Sequence, residues 1–249
     1  MTNKQREPGR LRRILNATWF RHLGGVVIAA AVMYAFYEAR SEWSPMHRWN
    51  RAFGDSSLVF IALAMAVGPV SRLWPRATVL LPWRREIGIW AIVAGGVHTA
   101  IILDGWVEWE IPRLFGFLLH PGLGSYVMVE KGFAFGNVIG IAALLYGLGL
   151  AVTSNDLSQR VMGLPVWKFF QQSAYILWSL VVMHTAYFLF IHFLDFHRQT
   201  PEPNFIKWPF VVLVGVVLAL QTAATLRTWK LRRRRSGRLD GGGAGMEAA

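Results

Sequence analysis

The chain contains no cysteine. That excludes disulfides, thiolate-ligated iron–sulfur clusters, a Cys-x-x-Cys-His haem attachment and cysteine-bound zinc. Charge is also scarce. Only 16% of the 249 residues are Asp, Glu, Lys or Arg, against about a quarter in soluble domains. Acidic residues are the scarcer sign, 14 against 26 basic ones, for a net charge of +12. No Gly-x-Gly-x-x-Gly fingerprint, soluble domain or strand–helix alternation is evident, so no nicotinamide or flavin domain is expected within this sequence. In place of these the chain has apolar residues, 54% of the total, and a mean hydropathy of +0.35. The basic residues sit at the ends of apolar segments, which fits anionic lipid headgroups as partners and not nucleic acid.

Apolar runs long enough to cross a bilayer, about 20 residues each, predict six spans: Leu23 to Glu38, Ser57 to Trp74, Glu86 to Asp104, Phe133 to Thr153, Phe170 to Leu194 and Phe205 to Leu226. The expected fold is an all-α integral membrane bundle of six helices. It is organised as a basic segment over 1–21, a helical domain over 22–229, and a tail over 230–249 that is first basic and then glycine-rich and disordered. Four basic stretches fall on one side of this topology: Lys4 to Arg13, Arg72 to Arg85, Arg160 to Lys168 and Lys230 to Arg235. The positive-inside rule makes that side cytoplasmic and places both termini there, in a bacterial inner membrane. No small-residue cleavage site follows the first apolar run, so span one is expected to stay as an anchor. The loop from Asp104 to Gly132 is rich in aromatics and is expected to form a short interfacial helix or cap on the outer face.

Two histidines lie in the apolar middle of spans, His98 in span three and His184 in span five. An imidazole in hydrocarbon is costly and marks a partner or a function. His98 follows Arg85 by 13 residues and His184 follows Phe170 by 14, so each stands about 20 Å above the inner edge at 1.5 Å per residue. Two imidazoles at one depth on parallel helices are what a haem held between spans three and five requires of its axial ligands. Without cysteine, that haem is b-type. Gly95, one turn before His98, would let a flat ring approach the backbone, and Gly140 and Gly147 in span four would do likewise. The plainer reading of each histidine is a hydrogen bond to a neighbouring helix. His22, His47, His120, His192 and His197 read as interfacial or solvated.

Those residues fall within a wider pattern. Ala66-Val67-Gly68-Pro69, then Arg84-Arg85-Glu86-Ile87-Gly88 leading to His98, then Ala151-Val152-Thr153-Ser154-Asn155, Arg160-Val161-Met162-Gly163, Trp167, Tyr175 and His184 occur in order over about half the chain. In this the chain resembles the ferric-reductase-like transmembrane domain. Within that family it is most similar to the haem-binding membrane subunits of bacterial periplasmic methionine-sulfoxide reductase systems. The resemblance implies a b-type cytochrome that passes electrons across the membrane. Relatives such as NADPH oxidases carry two stacked haems, the inner one using a histidine 13 residues before the match to His184. Here that position is Gln171, followed by Gln172, and its partner position falls near Arg84. One haem is therefore implied, with His98 and His184 as ligands.

The expected function is a subunit that relays electrons from a quinol or flavin donor to an extracytoplasmic redox protein or small oxidant. Gln171, Gln172, Arg84 and Arg85 would line an inner end for a quinone or FMN. The plainer readings there are interhelical hydrogen bonds for the glutamines and lipid-phosphate anchoring for the arginines. The alternative function is a structural or assembly subunit of a larger complex that has shed part of its redox role.

Overall fold

The computed structural model describes residues 17–196 and 204–243, and side chains over 17–192 and 204–234. Six helical segments are long and apolar enough to cross a membrane, and the protein is an all-α integral membrane bundle apart from one small hairpin. Helix α1 spans Thr18–Glu38. Helix α2 spans Pro45–Leu73, and a 3-10 turn at Pro75–Leu80 leads into α3 at Trp83–Gly105. A short α4 at Ile111–Leu114 and strands β1, Phe117–His120, and β2, Ser125–Met128, precede α5 at Lys131–Val152. Helices α6, Asp156–Met162, and α7, Leu164–Gln172, connect to α8 at Ala174–Tyr187. A π-helical stretch, Phe188–Phe196, continues α8, and α9 runs Lys207–Gly243.

Helix α2 is the central post. It packs against α1, α3, α8 and α9, and half of its most apolar window is buried, against 6% for α1. It begins twelve residues before the predicted start at Ser57. That stretch carries Arg48, Arg51 and Asp55, which lower its hydropathy, but the charges are satisfied within the protein. Arg40 forms a buried ion pair with Asp55 and also donates to Asn204 Oδ1 at 3.3 Å. Arg48 lies 3.7 Å from the centre of the Tyr37 ring and 3.5 Å from the Glu38 carboxylate. Pro45 supplies a preset first turn that needs no amide partner.

The same effect moves the start of span one. Arg21 was assigned to a basic segment outside the bundle. It lies within α1 and pairs at 2.9 Å with Glu86 of α3, a residue with no solvent exposure. Span five begins at Leu164 rather than Phe170 and is interrupted at Ser173. Helix α9 continues through the basic stretch from Lys230, where Leu, Lys and Arg are good helix formers, and ends at Gly243 within the glycine-rich part. Residues 244–249, most of the basic segment and His197 lie outside the described residues.

The segment between α3 and α5 contains the expected short helix, and also an antiparallel hairpin that was not foreseen. Phe117 pairs with Met128 and His120 with Ser125 around the turn Pro121-Gly122-Leu123-Gly124. Its base is closed at Gly116, whose carbonyl accepts from the Val129 and Glu130 amides. Gly116 has φ +77°, and a β-carbon there would lie 2.4 Å from the Glu130 carbonyl oxygen, so no other residue fits.

Candidate functional site

Four helices, α2, α3, α5 and α8, enclose a cavity of about 120 Å³ near the middle of the bundle. His98 reaches it from α3 and His184 from α8. Their ring centres are 6.4 Å apart and the ring planes stand at 84°. His98 Nδ1 is 2.9 Å from the carbonyl oxygen of Asn50 in α2, and His184 Nδ1 is 2.9 Å from that of Gly136 in α5. A carbonyl only accepts, so both Nδ1 atoms carry the proton and donate. Both Nε2 atoms are then bare lone pairs. Asn50 reciprocates, its amide lying 3.4 Å from the His98 carbonyl.

Imidazoles that bind metal are oriented in the same way, by a hydrogen bond from the other ring nitrogen, so these two could hold one. An ion held by both Nε2 atoms, with bonds of about 2.0 Å and ring centres about 1.2 Å behind each nitrogen, would separate the ring centres by about 6.4 Å. The observed spacing fits. Among the described residues no group of three or more His, Asp or Glu gathers to hold a metal ion. Two imidazoles that held one ion would leave its other positions to a ligand that is not protein, such as a tetrapyrrole.

The site has an internal two-fold character. Asn50 and Gly136 lie 86 residues apart in the sequence, and so do His98 and His184; each carbonyl precedes its histidine by 48. The same offset relates Gly54 to Gly140. A β-carbon at Gly54 would lie 3.0 Å from His98 Nδ1, and one at Gly140 would lie 2.9 Å from His184 Nδ1 and 2.7 Å from its Cε1. These glycines let each ring lie against the neighbouring helix. Nine pairs at this offset account for eighteen of the twenty-two residues lining the cavity. The sequence does carry a signal for this, in His98-Thr99-Ala100 and His184-Thr185-Ala186, Gly54 and Gly140, and Leu58 and Leu144. Reading single spans overlooks it.

The other expected site residues divide. Gly95 lines the cavity, but the space beside it faces Ser57 Oγ, 3.3 Å from where a β-carbon would stand; Ser57 in turn donates to the Ala91 carbonyl. Gly147 packs under Ile92 and Leu177 and is not among the lining residues. None of Gln171, Gln172, Arg84 and Arg85 lines the cavity. Gln171 donates at 3.2 Å to the Leu150 carbonyl and to Thr153 Oγ1 of the α5 end. Arg84 donates to Ala64 in α2, Arg85 pairs with Asp156, and Gln172 is exposed. Arg51, Asp55 and Asn137, which do line the cavity, were not among the residues singled out from the sequence. Of the remaining histidines, His47 and His120 are exposed, His22 lies against Trp90, and His192 against Tyr187 and Phe188.

No family model matches the chain. It is similar, at 25% identity over 141 residues, to the magnetosome protein MamZ of Magnetospirillum gryphiswaldense. That match covers 57% of this chain and only a fifth of the relative's length. It is also similar, at 27% identity over 197 residues, to the protein-methionine-sulfoxide reductase haem-binding subunit MsrQ of Rhodospirillum rubrum, covering 78% of this chain and 79% of that protein.

Proposed function

We propose that this chain is a membrane b-type cytochrome subunit in a bacterial inner membrane, with both termini cytoplasmic. One haem b would lie between His98 and His184. The observation that carries this reading is the pair of Nδ1–H bonds to the Asn50 and Gly136 carbonyls, which leaves an unprotonated Nε2 on each of two histidines lining one cavity. The haem-binding name of one relative supports the same cofactor. That name also describes a subunit, which supports a protein partner for this chain.

When bound, haem would supply a one-electron carrier within the hydrocarbon layer. The protein's own part is to hold both imidazoles in one tautomer and to surround the ring with apolar walls such as Leu58, Ile92 and Leu144. Electrons would enter from a quinol or a flavin donor on the cytoplasmic side and leave to an extracytoplasmic redox protein. The bonds of Gln171 to α5 close the inner position with hydrogen bonds, which supports one haem over two. They are equally what an assembly subunit without redox work would retain.

The reduced-minus-oxidised spectrum of the purified protein separates the two readings. A b-type band, lost in His98→Ala and in His184→Ala and kept in His120→Ala, is the expected result. A colourless wild type would overturn the cytochrome and leave the assembly subunit, and a normal spectrum in His98→Ala would end the pairing.

A further inference from the structure

The cavity has a polarity that runs along the bundle. Toward the cap formed by residues 105–130 stand Arg51, Asp55, Thr99, Asn137 and Thr185. Toward the opposite end the walls are Ile61, Ile92, Leu144, Leu177 and Val181. Each of the four helices contributes to both ends, so the gradient belongs to the cavity and not to one element. A flat ligand that is apolar along one edge and anionic along the other matches it in one orientation only.

The two-fold relation breaks at the polar end. Arg51 corresponds to Asn137, and Asp55 to Ile141. Arg51 stands one turn before Gly54, the residue against which His98 rests, and it lines the same cavity as both histidines. A guanidinium offers five donors in a planar fork suited to a carboxylate, whatever else it contacts. Asn137 is weaker and partly committed, its amide donating to the Leu114 carbonyl at 2.9 Å.

Resting on the reading of His98 and His184 as haem ligands, we infer that Arg51 receives a carboxylate of the haem. The propionate edge then points to the cap and the vinyl edge to the apolar end. The two propionates are received unequally, one by a cation on α2 and the other by the neutral side of the cavity on α5.

The test is titration of the haem-free protein in membranes with iron protoporphyrin IX and with its dimethyl ester, read as the low-spin absorption band. The wild type should bind the acid about tenfold or more tightly than the ester, the scale of one charge-assisted pair. Arg51→Gln should weaken acid binding until the two differ by less than about threefold, with ester binding unchanged, and Arg51→Lys should restore part of the difference. Ester binding reports the fold of each variant. Asn137→Asp is a second variant, expected to weaken the acid and spare the ester. Equal loss of both porphyrins in Arg51→Gln, or loss of neither, overturns the assignment of Arg51. A wild type that binds neither porphyrin, or histidine variants that bind both normally, overturns the haem reading itself and this inference with it.

Discussion

Replacing Gly140 by alanine should disable the proposed site without replacing either histidine. The added β-carbon would stand 2.7 Å from His184 Cε1 and 2.9 Å from Nδ1. Ordinary contact requires the ring to retreat by roughly 0.7 Å, away from the carbonyl of Gly136 that fixes it. Overpacking of this kind costs about 1–3 kcal/mol, and the weakened hydrogen bond about 1 kcal/mol more. Without ligand, His184 can swing into the cavity and escape the clash. The penalty therefore falls on the ligand-binding orientation and should reduce haem affinity by one to three powers of ten. Gly54→Ala, whose β-carbon would meet His98 Nδ1 at 3.0 Å, should show a smaller loss. Gly96→Ala, with nothing within 4 Å, should show none and should if anything firm the helix. The assay is haem per protein by pyridine haemochrome, with spin state by electron paramagnetic resonance. Wild-type haem content and a low-spin signal in Gly140→Ala would refute the placement of His184. So would a loss in Gly96→Ala equal to that in Gly140→Ala.

Asp55→Asn should destabilise the protein by about 3–5 kcal/mol, because it leaves the buried Arg40 cation uncompensated; thermal unfolding in detergent measures this, and an unchanged midpoint would argue against the pair. Single cysteines are easily read in a chain that has none: with both termini cytoplasmic, an impermeant maleimide on intact cells should label Ser125→Cys and spare Ser236→Cys, and the reverse pattern would invert the topology. If quinol enters near Gln171, then Gln171→Leu with Gln172→Leu should slow haem reduction by added quinol while the spectrum stays unchanged. Absence of quinol reduction in the wild type, or no slowing in the variant, would remove that entry route.

The six spans and the histidine pair were legible because hydrocarbon imposes simple demands: about twenty apolar residues per crossing and a reason for every buried imidazole. The first third of α2 was not legible, because a hydropathy window counts Arg51 and Asp55 as water-facing wherever their partners lie. Arg40, the partner of Asp55, is fifteen residues away across a turn, and Glu86 is sixty-five from Arg21. The hairpin was obscured by Phe117-Leu118-Leu119, an apolar run without the alternation that marks a strand. The glycines were recognised as places of close approach, but the approaching group at Gly140 is the histidine itself. Gln171, Gln172, Arg84 and Arg85 were expected at an inner end by side-chain type; Gln171, Arg84 and Arg85 turn to different neighbours and Gln172 is exposed, contacts that a sequence does not display.

The 86-residue correspondence has a consequence for how such a protein is put together. Helices α2 and α3 form one module holding a carbonyl, a glycine and an imidazole, and α5 with α8 form another. Each module braces one imidazole completely by itself, and the two imidazoles meet only where the modules face each other. A ligand held by both would join the modules, so its uptake would report that both had been inserted and docked. The 86-residue correspondence is the pattern that duplication of a two-helix unit would leave. The departures from symmetry, Arg51 opposite Asn137 and Asp55 opposite Ile141, are then the places where the fused copies became free to specialise.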